Sequence, residues 1–526
     1  WVAWLIVTHH RLPPLKSVFI KHSEKAFFKE SPSAIMDLQK PIEQFYKDIK
    51  AVDFWVKNPK TLTEHPKKSQ TFWQFQHLVM DSPAWQSQVK RWANKALKDP
   101  ILMQLSQCHQ VDDKQTSISD PFLLYLSRLA LMVGDHNYSC IKSSDNRKVK
   151  GSSEWREKLV ANTDRNTRET NQALDEHLIG VGSFTAHFAR HLPIIAEKMP
   201  TLKDHDILLR NTGSTRFAWQ NQAFNLARSV QEASQDNGFF GINMASTGGG
   251  KTIGNARIMY GLSDLDKGAR FTIALGLRVL TLQTGLSFRQ DLHLSDSQLA
   301  ILVGGQAHKK LFELNNSDED KATAITAEIV QDGQQPVFGS ESSEELVDEI
   351  IDSDIDYQAY ADLNIDTLIN DAKARDLLFS PIVTCTIDHI IQVSECKRGG
   401  RYIAPMLRLL SSDLILDEPD DFDQNDLPAL ARLVHLAGVF GSRVLLSSAT
   451  LTPDLMAGLF EAYLAGREIF NQSQNKAKPK VVCAWFDEQP KAITSVACAS
   501  LDDFTTNHDK FIQKRLKYLG EQPIRR

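Results

Sequence analysis

The eight residues Ala245–Thr252, Ala-Ser-Thr-Gly-Gly-Gly-Lys-Thr, constrain the fold more than any other part of the sequence. They follow a short apolar run and precede a helical pattern, Ile253–Leu262. Consecutive glycines let backbone N–H groups turn inward around an anion, and the following helix presents its positive end to the same anion. In this context the segment predicts a P-loop that binds ATP. The predicted contacts are Ser246, Thr247, Gly248, Gly249, Gly250, Lys251 and Thr252.

Short apolar runs recur from about residue 240 and alternate with helical patterns. Such an alternation is typical of βαβ units and predicts an α/β fold with a parallel sheet. Residues 313–376 interrupt the series with 18 acidic and 3 basic residues, which predicts an acidic insertion on the surface. The predicted strands are Gly241–Ala245, Phe271–Leu277, Leu299–Val303, Pro381–Thr386, Leu414–Leu416 and Val444–Leu446.

Two carboxylates, Asp417 and Glu418, come directly after one of these predicted strands. In P-loop motors an aspartate at this place holds Mg²⁺, and a glutamate orients and activates the attacking water. A lysine in the P-loop supplies a point charge for the β- and γ-phosphates. We therefore predict that Thr252 and Asp417 bind the Mg²⁺ that accompanies ATP. Catalysis is assigned to Glu418, Asp417 and Lys251.

Three further segments carry weaker signals. In Ser447–Thr450, at the end of the last predicted strand, Ser448 and Thr450 are predicted to couple the nucleotide state to strand movement. Gln220 is predicted to read the adenine edge of ATP, and the alternative is a glutamine that merely packs at a helix start. Predicted contacts to nucleic-acid phosphates, with plain strand-to-helix packing as the alternative, are Arg278, Thr281, Thr284 and Thr386.

Charge and cysteine content limit the kinds of partner that the protein could bind and the cell compartment in which it could work. The formal net charge is -5, but outside residues 313–376 basic residues outnumber acidic ones, which is compatible with a polyanionic partner. The six cysteines include no C-x-x-C pair, so neither a zinc ribbon nor a disulfide framework is indicated. No apolar run is long enough to span a bilayer. These features predict a cytoplasmic protein with no membrane partner.

Residues 1–210 differ from the rest of the chain. Apolar positions recur with helical spacing in Phe122–Val133 and Phe184–Ile195, and runs rich in β-formers are few. This part of the chain is therefore predicted to be α-helical, and the opening stretch Trp1–Val7 is expected to form a buried helix rather than a signal peptide.

Taken in order, these segments resemble a known family of enzymes. The P-loop, Asp417–Asp420 and Ser448–Thr450 follow one another as motifs I, II and III do in superfamily 2 helicases. Longer segments are similar to the type I CRISPR-associated helicase-nuclease, particularly that of subtype I-F. They are Leu416–Asp423, Trp4–Pro13 with its paired histidines, and Arg128–Ser139 with its aspartate.

The resemblance implies two activities. One is an HD nuclease in which a pair of divalent transition metals cleaves DNA, with His9, His10 and Asp135 as ligands; imidazole and carboxylate groups suit such metals. The other is a helicase motor that uses ATP and Mg²⁺ to move along single-stranded DNA, so that invader DNA is degraded. The implied partners are single-stranded DNA and an RNA-guided CRISPR surveillance complex.

We accordingly expect a multidomain protein. Residues 1–210 would form an incomplete α-helical HD-type nuclease domain, and residues 211–470 an α/β RecA-like P-loop helicase lobe that carries the acidic insertion. Residues 471–526 would form a linker and the start of a second RecA-like lobe, with Val481–Phe486 as its first strand. The chain begins with Trp1, and only eight residues precede His9. We therefore expect a fragment that lacks the family's earlier histidine motifs and motifs V and VI.

Two other functions are compatible with the same residues. A superfamily 2 helicase without nuclease activity would hydrolyse ATP in response to DNA but would cleave nothing in response to metal. An ATP-binding interaction module would use the nucleotide only to switch a partner surface. Such a module would keep its partner affinity with ATP bound when Glu418 is replaced by Gln, whereas a motor would lose translocation.

Overall fold

The computed structural model describes residues 78–103, 120–141, 145–155, 159–163, 170–303, 363, 365, 372–395, 399–422 and 426–521. His9 and His10 lie outside the described residues, and so does most of the predicted acidic insertion. The chain divides into two compact units, one within residues 1–190 and 397–400 and the other within residues 191–396 and 401–526.

The first unit is mainly helical. Its elements are α1 Pro83–Ala96, α2 Pro121–Ser139, β1 Val160–Thr163, β2 Thr170–Ala173 and α3 Leu174–His191. α2 begins where it does because proline fits the first helical position and the Asp120 carboxylate accepts hydrogen bonds from two N–H groups of the first turn. β1 and β2 pair antiparallel. The sequence did not predict these strands because their mostly polar residues lack an apolar alternation.

The described residues of the second unit form one eight-stranded sheet. The order across it is β10-β9-β3-β8-β7-β4-β6-β5, and every neighbouring pair is parallel except β9 with β10. The predicted parallel α/β sheet is therefore confirmed. In chain order the strands are β3 Phe239–Asn243, β4 Phe271–Leu275, β5 Leu299–Leu302, β6 Ile382–Thr386, β7 Asp413–Asp417, β8 Val444–Ser447, β9 Val481–Phe486 and β10 Thr494–Cys498.

Helices flank this sheet, and most of its strands are buried at every position, which explains their continuous apolar runs. No helix of the described ranges is long and apolar enough to cross a membrane. From residue 195 onward the helices are α4 Ile195–Lys198, α5 Asp206–Leu209, α6 Ala218–Ser229, α7 Gln231–Asn237, α8 Lys251–Leu262, α9 Arg278–Asp291, α10 Ala372–Phe379, α11 Gln392–Glu395, α12 Gly399–Ser411, α13 Leu427–Val439, α14 Pro453–Ser473 and α15 Leu501–Glu521.

The segment after residue 190 belongs to the second unit, although the sequence extended the helical region to about residue 210. The Leu202 N–H donates to the Ala269 carbonyl at 2.8 Å, and the Ala269 N–H donates back at 2.9 Å. Leu208 is fully buried in the core beneath the sheet. These contacts join residues about 65 positions apart in sequence, so local periodicity could not place them.

The strand Val481–Phe486 lies beside the P-loop strand, where the sequence had placed it at the start of a second lobe. It pairs in parallel with β3 and is buried throughout. On one face, Phe504 of α15 stacks on Phe460 of α14 with ring centroids 4.3 Å apart, and both rings meet Phe240 of β3. An apolar strand needs neighbours on both faces and at its edge. β3 lies at the edge of β9, Trp485 packs against Phe504 of α15 on one face, and alternate residues of β9 join the main core on the other.

Candidate nucleotide and metal sites

The carboxyl ends of three adjacent parallel strands bring the predicted motifs together. β3, β8 and β7 are consecutive in the sheet, and they lead respectively into the P-loop, Ser448 and Glu418. In open parallel sheets, ligands bind at this edge because the loops that follow the strands converge there. The sheet order thus brings the P-loop to two segments that follow it by more than 150 residues in sequence.

The P-loop adopts a turn that depends on glycine. Gly248 and Gly250 have φ of 74° and 80°, in the left-handed region that glycine enters without strain. A Cβ atom on Gly250 would lie 2.7 Å from the Gln220 amide nitrogen, so a larger residue would displace its neighbours. The Gly249 N–H donates to the Ser246 carbonyl at 2.8 Å and closes the turn. α8 begins directly afterwards at Lys251 and supplies the positive helix end.

Three side chains, one in the turn before α6 and two in the first turn of α6, hold the outer face of this loop. Arg216 Nη2, Trp219 Nε1 and Gln220 Nε2 donate to the carbonyls of Gly248–Gly250 in the same order, at 2.6, 2.9 and 3.0 Å. In a trans peptide the N–H points away from the carbonyl, so the held carbonyls of Gly249 and Gly250 leave the next N–H groups, of Gly250 and Lys251, for the opposite side. The Gly249 N–H is already used in the turn with Ser246. The loop is therefore shaped to accept an anion before any anion is bound.

Gln220 was predicted to read adenine, and that role stays a prediction. Its amide nitrogen bonds to the P-loop, and its side chain is buried. Trp219 and Arg216 were missed. An apolar residue such as Trp219 in a helical pattern predicts a core position. Only the tertiary structure shows that its indole N–H donates to the Gly249 carbonyl.

We expect Trp219→Phe to weaken ATP binding about fivefold, because it removes one hydrogen bond to the P-loop and keeps most of the ring packing. Titration with a fluorescent ATP analogue measures the change. Trp92→Phe, at an exposed tryptophan of α1, is the control, since it makes the same side-chain change outside the unit that carries the P-loop. Equal affinities for wild type and Trp219→Phe would contradict the proposed support of the loop.

Glu418 sits at a strained position and pairs with the P-loop lysine. Its φ is 51°, in the left-handed region that non-glycine residues rarely occupy. Its N–H donates to the Ser447 carbonyl at 2.7 Å, which fixes the turn after β7. The Lys251 ammonium donates to Glu418 Oε1 at 2.6 Å. An incoming triphosphate would compete with Glu418 for Lys251, so the pair keeps each charge satisfied until nucleotide arrives.

Asp417 has the properties of a cation ligand. It is buried, and within the described residues its Oδ1 has no hydrogen-bond partner. Burial raises the pKa of this carboxyl to about 6, and the neighbouring Ser447 hydroxyl opposes the rise. A bound Mg²⁺ would satisfy the oxygen and favour the ionised form, since Mg²⁺ prefers carboxylate oxygen. Thr252, the other predicted Mg²⁺ ligand, lies in the first turn of α8.

The residues predicted to couple nucleotide state to movement contact the segment after β7. Ser448 Oγ and Thr450 Oγ1 are 3.2 Å apart, and the Thr450 hydroxyl donates to the Asp420 carboxylate. The pair therefore bridges the loop after β8 and the loop after β7. The predicted role of Ser448 and Thr450 in coupling nucleotide state to movement stays a prediction.

A buried chain of amides, which the sequence did not reveal, connects the same strands beneath the site. Asn243 Nδ2 donates to Asn255 Oδ1 at 2.7 Å, and Asn255 Nδ2 donates to Ser447 Oγ at 2.8 Å. Asn243 Oδ1 in turn accepts from the Ala245 N–H at 3.2 Å. Buried polar groups that satisfy one another fix a unique arrangement, so this chain sets the P-loop relative to β8.

The residues predicted to contact DNA lie at the ends of two adjacent strands: Thr386 is the last residue of β6, and the others follow β4. Thr281 is fully buried and its hydroxyl donates to the Leu277 carbonyl at 2.9 Å, while Thr386 is also buried. The Thr281 N–H also donates to the Leu277 carbonyl, at 3.0 Å, so both donors of Thr281 are already used within the helix. Thr284 is half-buried, and Arg278 is the first residue of α9. DNA binding at this edge stays a prediction.

In the first unit, Asp135 is paired with a histidine that the sequence did not indicate. Asp135 Oδ1 on α2 lies 3.3 Å from His177 Nε2 on α3, and His177 Nδ1 lies 2.9 Å from Gln172 Oε1. A carboxylate beside an imidazole suits a transition metal. Within the described residues no group of three or more His, Cys, Asp or Glu side chains could hold a metal. A complete site would need donors outside them, such as His9 and His10.

Comparisons with known proteins bear on the whole chain. No protein-family model matches it. The chain is 40% identical over 538 residues to the CRISPR-associated nuclease/helicase Cas3 subtype I-F/YPEST of Pectobacterium atrosepticum, covering all of this chain and 45% of the relative. It is 40% identical over 530 residues to the protein of the same description from Pseudomonas aeruginosa, covering all of this chain and 44% of that relative.

A solved structure also aligns with part of the chain. The crystal structure of T. fusca Cas3 with ATP covers 62% of this chain and 30% of its own, at 15% identity and a TM-score of 0.35, too loose a superposition to support an argument. The two sequence relatives carry the comparison, because their similarity extends over the whole of this chain. The chain itself spans less than half of the length of either relative. The resemblance seen in the motifs is thereby confirmed: over its whole length the chain is similar to CRISPR-associated nuclease/helicases of subtype I-F.

Proposed function

We propose that this chain is the ATP-binding portion of a helicase-nuclease that moves along single-stranded DNA and degrades it in type I CRISPR interference. The observation that carries the proposal is the P-loop with Lys251 and Glu418 2.6 Å apart at the carboxyl edge of a parallel sheet. The similarity to nuclease/helicases of subtype I-F supports it. RNA-guided recruitment and reeling of the DNA in the 3′-to-5′ direction belong to the same proposal.

In the proposed reaction the chain's own groups bind and orient ATP. The N–H groups of the P-loop and the Lys251 ammonium would take up the β- and γ-phosphates, and Glu418, released from Lys251, would orient the attacking water and accept its proton. Mg²⁺, held by Asp417 and Thr252 when bound, would neutralise charge that develops on the phosphates. Ser448 and Thr450 would pass the change at Glu418 to the loop after β8.

The proposed motor needs only contacts that ignore base sequence. Backbone N–H groups and side chains at the starts of helices bind phosphates without reading bases, and sequence selection is left to the guide RNA. The edge formed by the ends of β4 and β6, with Arg278 and Thr284 nearby, is our candidate path for the strand. Since β4 is the neighbour of β7, the proposed path would run beside the strand that carries Asp417.

The proposed nuclease depends on the first unit. His9, His10 and Asp135 are its proposed metal ligands, and His177 would orient the Asp135 carboxylate. Two bound metals would activate water and stabilise the leaving oxygen of a phosphodiester.

We expect His9→Ala combined with Asp135→Ala to reduce metal-dependent degradation of single-stranded DNA by about a hundredfold or more in the full-length protein, while DNA-stimulated ATP hydrolysis persists. Gel assays with Mn²⁺, Co²⁺ or Ni²⁺ and phosphate-release assays measure the two activities separately. Glu154→Ala removes an exposed carboxylate of the same unit and is the control. If cleavage survives the double substitution, the nuclease assignment fails and a helicase without nuclease activity remains.

A further inference from the structure

The turn after β9 brings an acidic residue to the first residues of the P-loop. β9 and β3 are parallel neighbours, with Asn243 opposite Phe486, and the Met244 N–H continues the ladder by donating to the Phe486 carbonyl at 3.0 Å. The segments that follow two neighbouring parallel strands leave the sheet at the same edge and stay close to each other. Glu488, two residues beyond β9, therefore faces Ser246.

The Glu488 carboxylate holds Ser246 with both of its oxygens. Oε2 accepts from the Ser246 N–H at 3.0 Å, and Oε1 accepts from the Ser246 hydroxyl at 2.5 Å. Hydrogen bonds to an ionised acceptor are about twice as strong as neutral ones, and a two-point contact also fixes orientation. Glu488 thus fixes the entry of the loop, while Trp219 and its neighbours hold the glycines.

An arginine of the last described helix holds Glu488 in turn. Arg515 Nη1 on α15 lies 3.5 Å from Glu488 Oε2 and donates to the Asp487 carboxylate. The Arg515 side chain is only 8% exposed and that of Asp487 1% exposed, so their attraction is little screened by solvent. α15 is itself docked on β9, where Trp485 Nε1 donates to His508 Nδ1 at 3.0 Å.

A carboxylate beside a phosphate-binding loop works against polyphosphate binding unless it has a compensating role and a neutralising partner. Arg515 supplies a positive charge that Glu488 shares with Asp487, and the two bonds to Ser246 are the compensating role. We propose that Glu488 is a positioning residue of the nucleotide site: it keeps the entry of the P-loop in its binding conformation, and Arg515 keeps Glu488 in place. This inference rests on the proposed ATP-binding function.

The experiment compares affinities for ATP, inorganic tripolyphosphate and adenosine by calorimetry. Glu488→Ala releases Ser246, so only part of the population keeps a competent loop, and we expect ATP and tripolyphosphate affinity to fall about tenfold. Adenosine affinity should not change, because adenosine carries no phosphate. Glu488→Gln can still bond to Ser246 and removes the repulsive charge, so it should stay within about threefold of wild type.

Two further comparisons separate positioning from a general loss of structure. Arg515→Ala should weaken ATP binding in the same sense as Glu488→Ala, and Arg515→Lys should restore part of the loss. Asp502→Asn and Lys514→Ala, exposed residues of α15, are the charge-matched controls and should bind ATP as wild type does. Should Glu488→Ala fold poorly, Ser246→Ala removes the hydroxyl bond from the loop side and is expected to weaken ATP about threefold.

The outcomes distinguish this inference from the proposed function. If wild type binds neither ATP nor tripolyphosphate, both fail. If wild type binds ATP, and Glu488→Ala and Ser246→Ala bind it equally well, the positioning role is overturned and the nucleotide site stands. An equal loss of adenosine and tripolyphosphate affinity would also overturn it, because that pattern indicates a general disturbance of the unit.

Discussion

Replacing Glu418 with Gln is expected to reduce ATP hydrolysis by about two to three orders of magnitude while ATP binding persists or strengthens. The amide cannot accept the proton of the attacking water. It also leaves Lys251 without its 2.6 Å ion-pair partner, so the ammonium becomes available to the phosphates. Phosphate release in the presence of single-stranded DNA measures the first effect, and titration with a fluorescent ATP analogue measures the second.

The comparison with Lys251→Ala sharpens this result. Loss of the ammonium should impair both binding and hydrolysis, whereas Glu418→Gln should impair hydrolysis alone. Asp421→Asn, an exposed carboxylate three residues further along, is the matched control and should leave hydrolysis near the wild-type rate. Normal hydrolysis in Glu418→Gln would mean that another group activates the water. If the full-length Glu418→Gln protein translocates no longer, the chain is part of a motor and not of a nucleotide-controlled interaction module.

Replacing Phe504 with Ala is expected to cost about 3 to 5 kcal/mol of unfolding free energy, the usual range for removing a buried phenylalanine. The ring is fully buried, is stacked on Phe460, and contacts Phe240 of β3 and Trp485 of β9. β3 carries the P-loop. Because the cavity would lie against that strand, ATP binding and the sheet should be lost together as denaturant is raised.

Guanidinium unfolding followed by tryptophan fluorescence, with and without ATP, measures this effect. Leu516→Ala on the same helix is the control, since its side chain is largely exposed and should cost less than about 0.5 kcal/mol. A separate early transition of α15 in Phe504→Ala, with the ATP-binding transition unchanged, would contradict the prediction. It would mean that residues 481–521 form a cooperative unit of their own.

The sequence was informative where the chemistry is local. Phosphate binding needs glycines, a lysine and a helix start in one short stretch, so Gly248–Thr252 could be recognised without the fold. Each predicted strand from Gly241–Ala245 to Val444–Leu446 overlaps an observed one. Buried parallel strands are continuous apolar runs, and such runs are visible in sequence. The strands β1 and β2 were not predicted, because few of their side chains are apolar and the sequence therefore shows no apolar run there.

The sequence by itself therefore determined the P-loop, the pair of carboxylates after β7 and the order of the motifs. Tertiary structure alone decided which strands are neighbours, and hence that Glu418 meets Lys251, that Trp219 meets Gly249 and that Glu488 meets Ser246. It also placed Val481–Phe486 beside β3 instead of at the start of a second lobe. The physical reason is that a strand's apolar pattern requires burial but does not specify a partner. Which strand becomes its neighbour depends on how all strands and helices pack into one core. A short segment of sequence does not contain that information.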